Sequence, residues 1–218
     1  MQLTGTRKMD LADLMDAAGK LYVENLGLFI GVYAVAMIIA AILTYVGHGA
    51  GFLASLASLA GSAALINAIA ARAEGRPMGI ADAYTSLTPS TYLRFIVASI
   101  LYFLAVVVGL ILLIVPGIYL MVKWVFVPEA VIIDHAGIGQ SFTQSSRLTE
   151  GNWWRILVYG LVLFILFAVL SAVGAAFGGA GGVVASLIEL FAVPFLYAIL
   201  VDLYFNLREV KGAQLVNP

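Results

Sequence analysis

Hydrophobic positions in this chain mostly form unbroken runs rather than the alternation of a strand or the stripe of an amphipathic helix. Six runs stand out, at 26–46, 50–71, 95–115, 117–133, 156–177 and 182–205. A helix rises 1.5 Å per residue, so about 20 apolar residues cross a hydrocarbon core of roughly 30 Å, and each run predicts a transmembrane helix. Four runs hold no charge. The fourth contains Lys123 and Glu129, and the sixth contains Glu189 and Asp202. The fourth is also short, which leaves a tilted or re-entrant path open to it.

Polar residues divide the segments between runs into two kinds. Gly47-His48-Gly49, the Pro116-Gly117 turn and the glycine-rich stretch 174–182 carry no charge, and predict three tight hairpin tips on one face. The remaining segments hold Arg7, Lys8, Lys20, Arg72, Arg76, Arg94, Arg147, Arg155, Arg208 and Lys211, ten of the eleven basic residues. Such asymmetry places that face, with both termini, in the cytoplasm. Tyr22, Tyr92, Trp153 and Trp154 stand where the first, third and fifth spans begin, at headgroup level.

The segments before the spans resemble one another. Residues 10–25 align without a gap on 137–152, matching Lys20 with Arg147, Leu21 with Leu148 and Asn25 with Asn152; residues 79–84 read as a shorter third copy. Leu11, Leu14, Met15 and Ala18, like Ile138, Phe142 and Ser145, fall at helical spacing, so each copy predicts a short amphipathic helix on the membrane surface. A second gapless match joins 118–130 to 184–196, setting Lys123 opposite Glu189 and Pro128 opposite Pro194. The expected fold is an all-α bundle of six spans as three parallel hairpins, each preceded by an interfacial helix, in a single membrane domain over 1–218.

Composition agrees with this reading and narrows the chemistry. Hydrophobic residues make up 63% of the 218 and charged residues 11%, whereas a water-soluble domain carries about a quarter charged residues. The net charge of −1 comes with no basic tract, so nucleic acid is not an expected partner. Without cysteine there is no disulfide, thiol nucleophile or thiolate metal site. The first 20 residues carry Arg7, Lys8, Asp10, Asp13 and Asp16 and lack the apolar core of a signal peptide.

The charges inside the spans are the first candidates for chemistry. Lys123 and Glu189 come six and seven residues from their expected tips, and a lone charge at that depth costs about 2.5 to 3.5 kcal/mol, which predicts an ion pair between them. Such a pair serves either as a clamp fixing helix register or as part of a proton or substrate relay. Pro128 and Pro194 predict kinks at matching depth in the returning helices. The second span is rich in Ala, Ser and Gly, which predicts a central helix, with Asn67 bonded to a neighbour. Gly174, Gly178 and Gly182 have the spacing of a close helix contact between copies.

A polar rim is expected at the cytoplasmic ends of the spans, made of Arg94, Glu129, Asp134, Arg147, Asn152, Arg155, Asp202, Asn206 and Arg208. These residues suit mutual pairing and the binding of anionic headgroups or a partner. His48 and His135 lie on opposite faces and cannot share a metal. No phosphate loop, nucleophile elbow or HExxH occurs, so no catalytic, cofactor or metal site is expected.

Three stretches carry a family likeness: 112–120 (LLIVPGIYL), Ser141 with 145–155 (SSRLTEGNWWR), and 203–208 (LYFNLR). Over nearly its whole length the chain resembles the glycerophosphoryl diester phosphodiesterase membrane-domain family and related six-span bacterial inner-membrane proteins. Asn206 stands where an acid is common in that family. The resemblance implies a membrane region, since the phosphodiesterase members hydrolyse diesters in a separate barrel domain. The resulting expectation is a non-catalytic protein of the bacterial plasma membrane that engages lipid or another membrane protein through its cytoplasmic face. The alternative is a small permease with a cavity near Lys123, Glu189 and Pro194.

Overall fold

The computed structural model describes residues 10–46, 51–175 and 181–216. His48 with its expected tip, Gly178 of the glycine series, and Arg7 and Lys8 lie outside the described residues. Among those described, the regular elements are all helices: α1 (Leu11–Glu24), α2 (Leu26–Val46), α3 (Gly51–Ala73), α4 (Ile80–Thr85), α5 (Pro89–Leu112), α6 (Ile114–Lys123), α7 (Val127–Ile133), α8 (Ile138–Thr149), α9 (Trp153–Ala175) and α10 (Gly181–Val216). Six helical segments are long and apolar enough to cross a membrane, as a multi-pass membrane protein requires, the fourth being α6 and α7 taken together.

The spans pack as three antiparallel hairpins, α2 with α3, α5 with α6 and α7, and α9 with α10. Small residues set the close approaches. A Cβ added to Gly61 of α3 would lie 2.2 Å from the Cβ of Ala36 on α2. At the second hairpin, a Cβ on Gly109 would come within 2.9 Å of the Gly117 Cα, and one on Gly117 within 2.6 Å of the Leu110 backbone nitrogen. The turn expected at Pro116-Gly117 therefore lies elsewhere, at Leu113, whose extended backbone (φ −160°, ψ 137°) separates α5 from α6. Pro116 sits in the first turn of α6, where its missing N–H leaves no hydrogen bond unmade. Gly117 serves as contact surface.

Three short helices join or precede the hairpins, each resting on a returning helix. α4 packs on α3, α8 on α7, and α1, at the opposite end of the sequence, on α10. Their starts are capped: Asp10 accepts from the Asp13 N–H at 2.9 Å, while the side chains of Asp82 and Gln140 reach back to the N–H groups of Gly79 and Gly137. α1 buries Leu14, Ala18 and Leu21 and leaves Asp13, Asp16, Lys20 and Glu24 outside. Its seam with α10 is pinned by Tyr22, whose hydroxyl donates to the Phe191 carbonyl at 2.9 Å and whose ring meets Phe195 edge-on at 5.5 Å. Tyr22→Phe removes that bond alone and is expected to cost about 0.5 to 1.5 kcal/mol in detergent unfolding, with the helix content of the folded state unchanged.

The core gathers around two elements. Ten residues of α3 are buried, nine of them from Gly61 onward, so this helix is central over its second half and open over its first. The other is α7, the shortest piece of any span, which buries Val127, Glu129, Ala130, Val131 and Ile132 against α3, α5 and α8. Asn67 of α3 donates to the Ala83 carbonyl at 3.1 Å and the Ser86 hydroxyl at 2.8 Å, tying the core helix to α4.

Candidate functional site

Proline opens the site. Pro128 lacks an N–H and its ring crowds the carbonyl four residues earlier, so the fourth span stops at Lys123 and restarts at Val127 with the proline in its first turn. A break leaves backbone groups without helical partners, and α8 supplies them. The Ser145 hydroxyl donates to the Lys123 carbonyl at 3.0 Å and accepts from the buried Phe126 N–H at 3.2 Å, bridging the gap in both directions. Thr149 adds a second bond to the Lys123 carbonyl at 3.2 Å, and the Trp124 indole donates to Ser146 at 3.1 Å. Pro194 behaves differently: α10 runs through it unbroken, with its ring buried.

With α8 fastened there, its other side faces outward and carries Thr143 and Arg147, both exposed. Arg147 and Lys123 line one groove of about 400 Å³ together with Tyr119, Thr143, Ser146, Thr149, Glu150, Gly151 and Trp153. The Lys123 ammonium lies 5.4 Å from the centroid of the Tyr119 ring, which stacks on Trp153 at 6.0 Å. Among the described residues neither Lys123 nor Arg147 forms a salt bridge. A second groove, of about 630 Å³, runs past Asp134, His135, Gly139, Gln140 and Gln144 and shares Thr143 and Arg147 with the first.

The expected Lys123–Glu189 pair is not formed. Glu189, exposed on α10, accepts from the Tyr33 hydroxyl at 2.9 Å, and α6 packs on α5, α8 and α9. Matching positions in the alignment do not bring the two side chains to the same side of the bundle.

The expected polar rim separates into three groups. Glu129, Asn152, Asp202 and Asn206 are buried, at 1%, 4%, 3% and 7% exposure, which removes them from any exposed patch. Arg94 donates to the His135 carbonyl at 2.9 Å and Arg155 to the Tyr159 hydroxyl at 2.8 Å, while Asn152 donates to the Leu148 carbonyl as Asn25 does to that of Leu21. Arg208 pairs with Asp134 at 2.6 Å, and the other oxygen of that carboxylate takes the Tyr204 hydroxyl at 2.5 Å and the Gln144 amide. Arg147 is left facing outward. Sequence reasoning singled out Lys123 and Arg147 separately; the residues that join them, Ser145 and Thr149, stood out only within the 145–155 stretch that carries the family likeness, Ser145 also by its helical spacing.

A third groove, about 480 Å³ between α9 and α10, is lined by Leu163, Phe167, Leu187, Phe191, Phe195 and other apolar side chains, with the Tyr22 ring at its edge. Among the described residues no three of His, Asp and Glu converge as metal ligands would.

Residues 3–180 match the family described as a domain of unknown function, DUF7847. No curated protein and no solved structure matches the chain.

Proposed function

Because the chain belongs to the DUF7847 family, described only as a domain of unknown function, we propose its role from the site itself: a non-catalytic plasma-membrane protein that holds anionic phospholipid at its cytoplasmic face. The observation that carries this reading is the pair of cations, Lys123 and Arg147, lining one groove without a salt-bridge partner among the described residues. An ammonium and a guanidinium so placed suit a phosphate, which accepts from both. Tyr119 and Trp153 are the side chains expected where headgroup meets hydrocarbon. The basic residues of the connecting segments argue for the cytoplasmic side, and the likeness to the phosphodiesterase membrane-domain family accords with a lipid-facing role in a bacterial inner membrane.

The connector helices support a threefold repeat. Asn25 and Asn152, aligned in sequence, each bond to the carbonyl four residues back, and α1, α4 and α8 each rest on a returning helix. In this reading α1 occupies, against α10, the place that a connector following α10 would take. The permease alternative asks for a polar passage joining Lys123, Glu189 and Pro194. It finds less support, because the groove beside Pro194 is apolar and the one beside Lys123 lies against α8.

The test is retention of lipid by the purified chain, read by native mass spectrometry after exchange into mixed anionic and zwitterionic micelles. Wild-type protein is expected to keep anionic phospholipid. Each of Lys123→Gln and Arg147→Gln removes one charge-assisted contact worth about 1.5 kcal/mol or more, a loss of about tenfold in affinity. Equal retention of anionic and zwitterionic lipid by wild type and both variants would end the proposal.

A further inference from the structure

We propose that the two polar grooves meeting at Thr143 and Arg147 form one bipartite site for a polyol-phosphate lipid headgroup, with the phosphate against Lys123 and Arg147 and the polyol in the groove beside His135. This rests on the phospholipid reading above and narrows it to a headgroup class. Thr143 and Arg147 are four residues apart on the exposed side of α8, hence neighbours on the helix surface, and each lines both grooves. A headgroup anchored at Arg147 therefore has a second polar compartment within reach.

The unused hydrogen-bonding capacity of that compartment specifies what fills it. Asp134 is committed, one oxygen to Arg208 and the other to Tyr204 and Gln144, so its charge is already met. Gln140 accepts from the Gly137 N–H through Oε1, which leaves its amide as a donor; Gln144 spends its amide on Asp134 and Tyr204, which leaves its carbonyl as an acceptor. The Thr143 hydroxyl donates to the Gly139 carbonyl at 3.1 Å and keeps its lone pairs. Beside the His135 ring, one neutral donor from Gln140 and two neutral acceptors from Gln144 and Thr143 suit hydroxyl groups, which give and take one bond each. A choline or ethanolamine cation meets no unpaired negative charge there, because the one carboxylate lining that groove, Asp134, is already paired with Arg208.

The shared chemistry, a phosphate ester of a polyol, occurs both on lipids and as soluble glycerol phosphate; the groove lies on a membrane-embedded hairpin, and we assign it to the lipid. The full chain, reconstituted in phosphatidylcholine nanodiscs, is titrated with phosphatidylglycerol, phosphatidic acid and phosphatidylethanolamine of equal chain length. Phosphatidylglycerol is expected to bind tightest. Gln140→Leu, an exposed change in the polyol groove alone, should bring it down about fivefold to the level of phosphatidic acid while leaving phosphatidic acid unmoved. Arg147→Gln should weaken both. If phosphatidylglycerol and phosphatidic acid bind wild type equally while Arg147→Gln still weakens both, the polyol compartment is refuted and the phosphate site stands. If Arg147→Gln changes neither, the phospholipid reading fails with it. Preference for phosphatidylethanolamine, or competition by soluble glycerol phosphate as strong as by the lipid, overturns the assignment.

Discussion

Gly117→Ala is expected to lower stability by about 1 to 3 kcal/mol, through overpacking rather than through any lost contact. The added methyl carbon would lie 2.6 Å from the Leu110 backbone nitrogen and 2.5 Å from two atoms of the Leu110 side chain. Leu110 can turn aside, but its backbone cannot without opening the α5–α6 crossing, where Gly109 is already in contact with Gly117. Little else holds that end of the hairpin, since residues 110–115 are all exposed to the surroundings. The control is Gly160→Ala on α9, which meets nothing within 4 Å and should gain about 0.5 to 1 kcal/mol from helix propensity. Unfolding followed by circular dichroism as a denaturing detergent is titrated in reads both. A Gly117→Ala protein as stable as wild type would show that α5 and α6 are free to move apart there.

The second large effect is at the broken span. Ser145→Ala leaves the buried Phe126 N–H without a partner, at a cost of about 1 to 3 kcal/mol, while Thr149 still satisfies the Lys123 carbonyl. Adding Thr149→Val strips that carbonyl as well, so the double variant is expected to lose more than the two single changes combined. Ser55→Ala, whose exposed hydroxyl bonds only within its own helix, should fall within about 0.5 kcal/mol of wild type. Additive losses in the double variant would mean that water or a shifted backbone already serves the break. The position aligned with Ser145 in α1 is Ala18, and the difference has a cause: α1 rests on α10, whose helix is unbroken, and its bond to that backbone comes instead from Tyr22, to the Phe191 carbonyl three residues before Pro194.

The helices long enough to span a membrane were legible in the sequence, and which of them neighbour one another was not. The run at 26–46 coincides with α2, because unbroken apolarity reports directly on burial in hydrocarbon. Pro128 and Pro194 look alike in sequence, yet only the first breaks its helix; the residues that make the break tolerable, Ser145 and Thr149, come about twenty positions later and act through tertiary contact. For the same reason Lys123 and Glu189, matched in register, face different helices. The sixth apolar run likewise ends at residue 205 although the helix continues to Val216, since apolarity marks a span and not the end of its helix. The groove escaped sequence reading because Lys123 and Arg147 meet only once α8 has folded back along α7.

The bond from Tyr22 to Phe191 spans 169 residues. At about 5 to 20 residues per second, a ribosome needs on the order of ten to thirty seconds to deliver the second partner after the first. Throughout that interval Leu14, Ala18 and Leu21 are made but have no α10 to cover them. The lipid surface is the apolar shelter at hand for a short amphipathic helix, and the cover that α10 gives Leu14, Ala18 and Leu21 comes only once the sixth span is made.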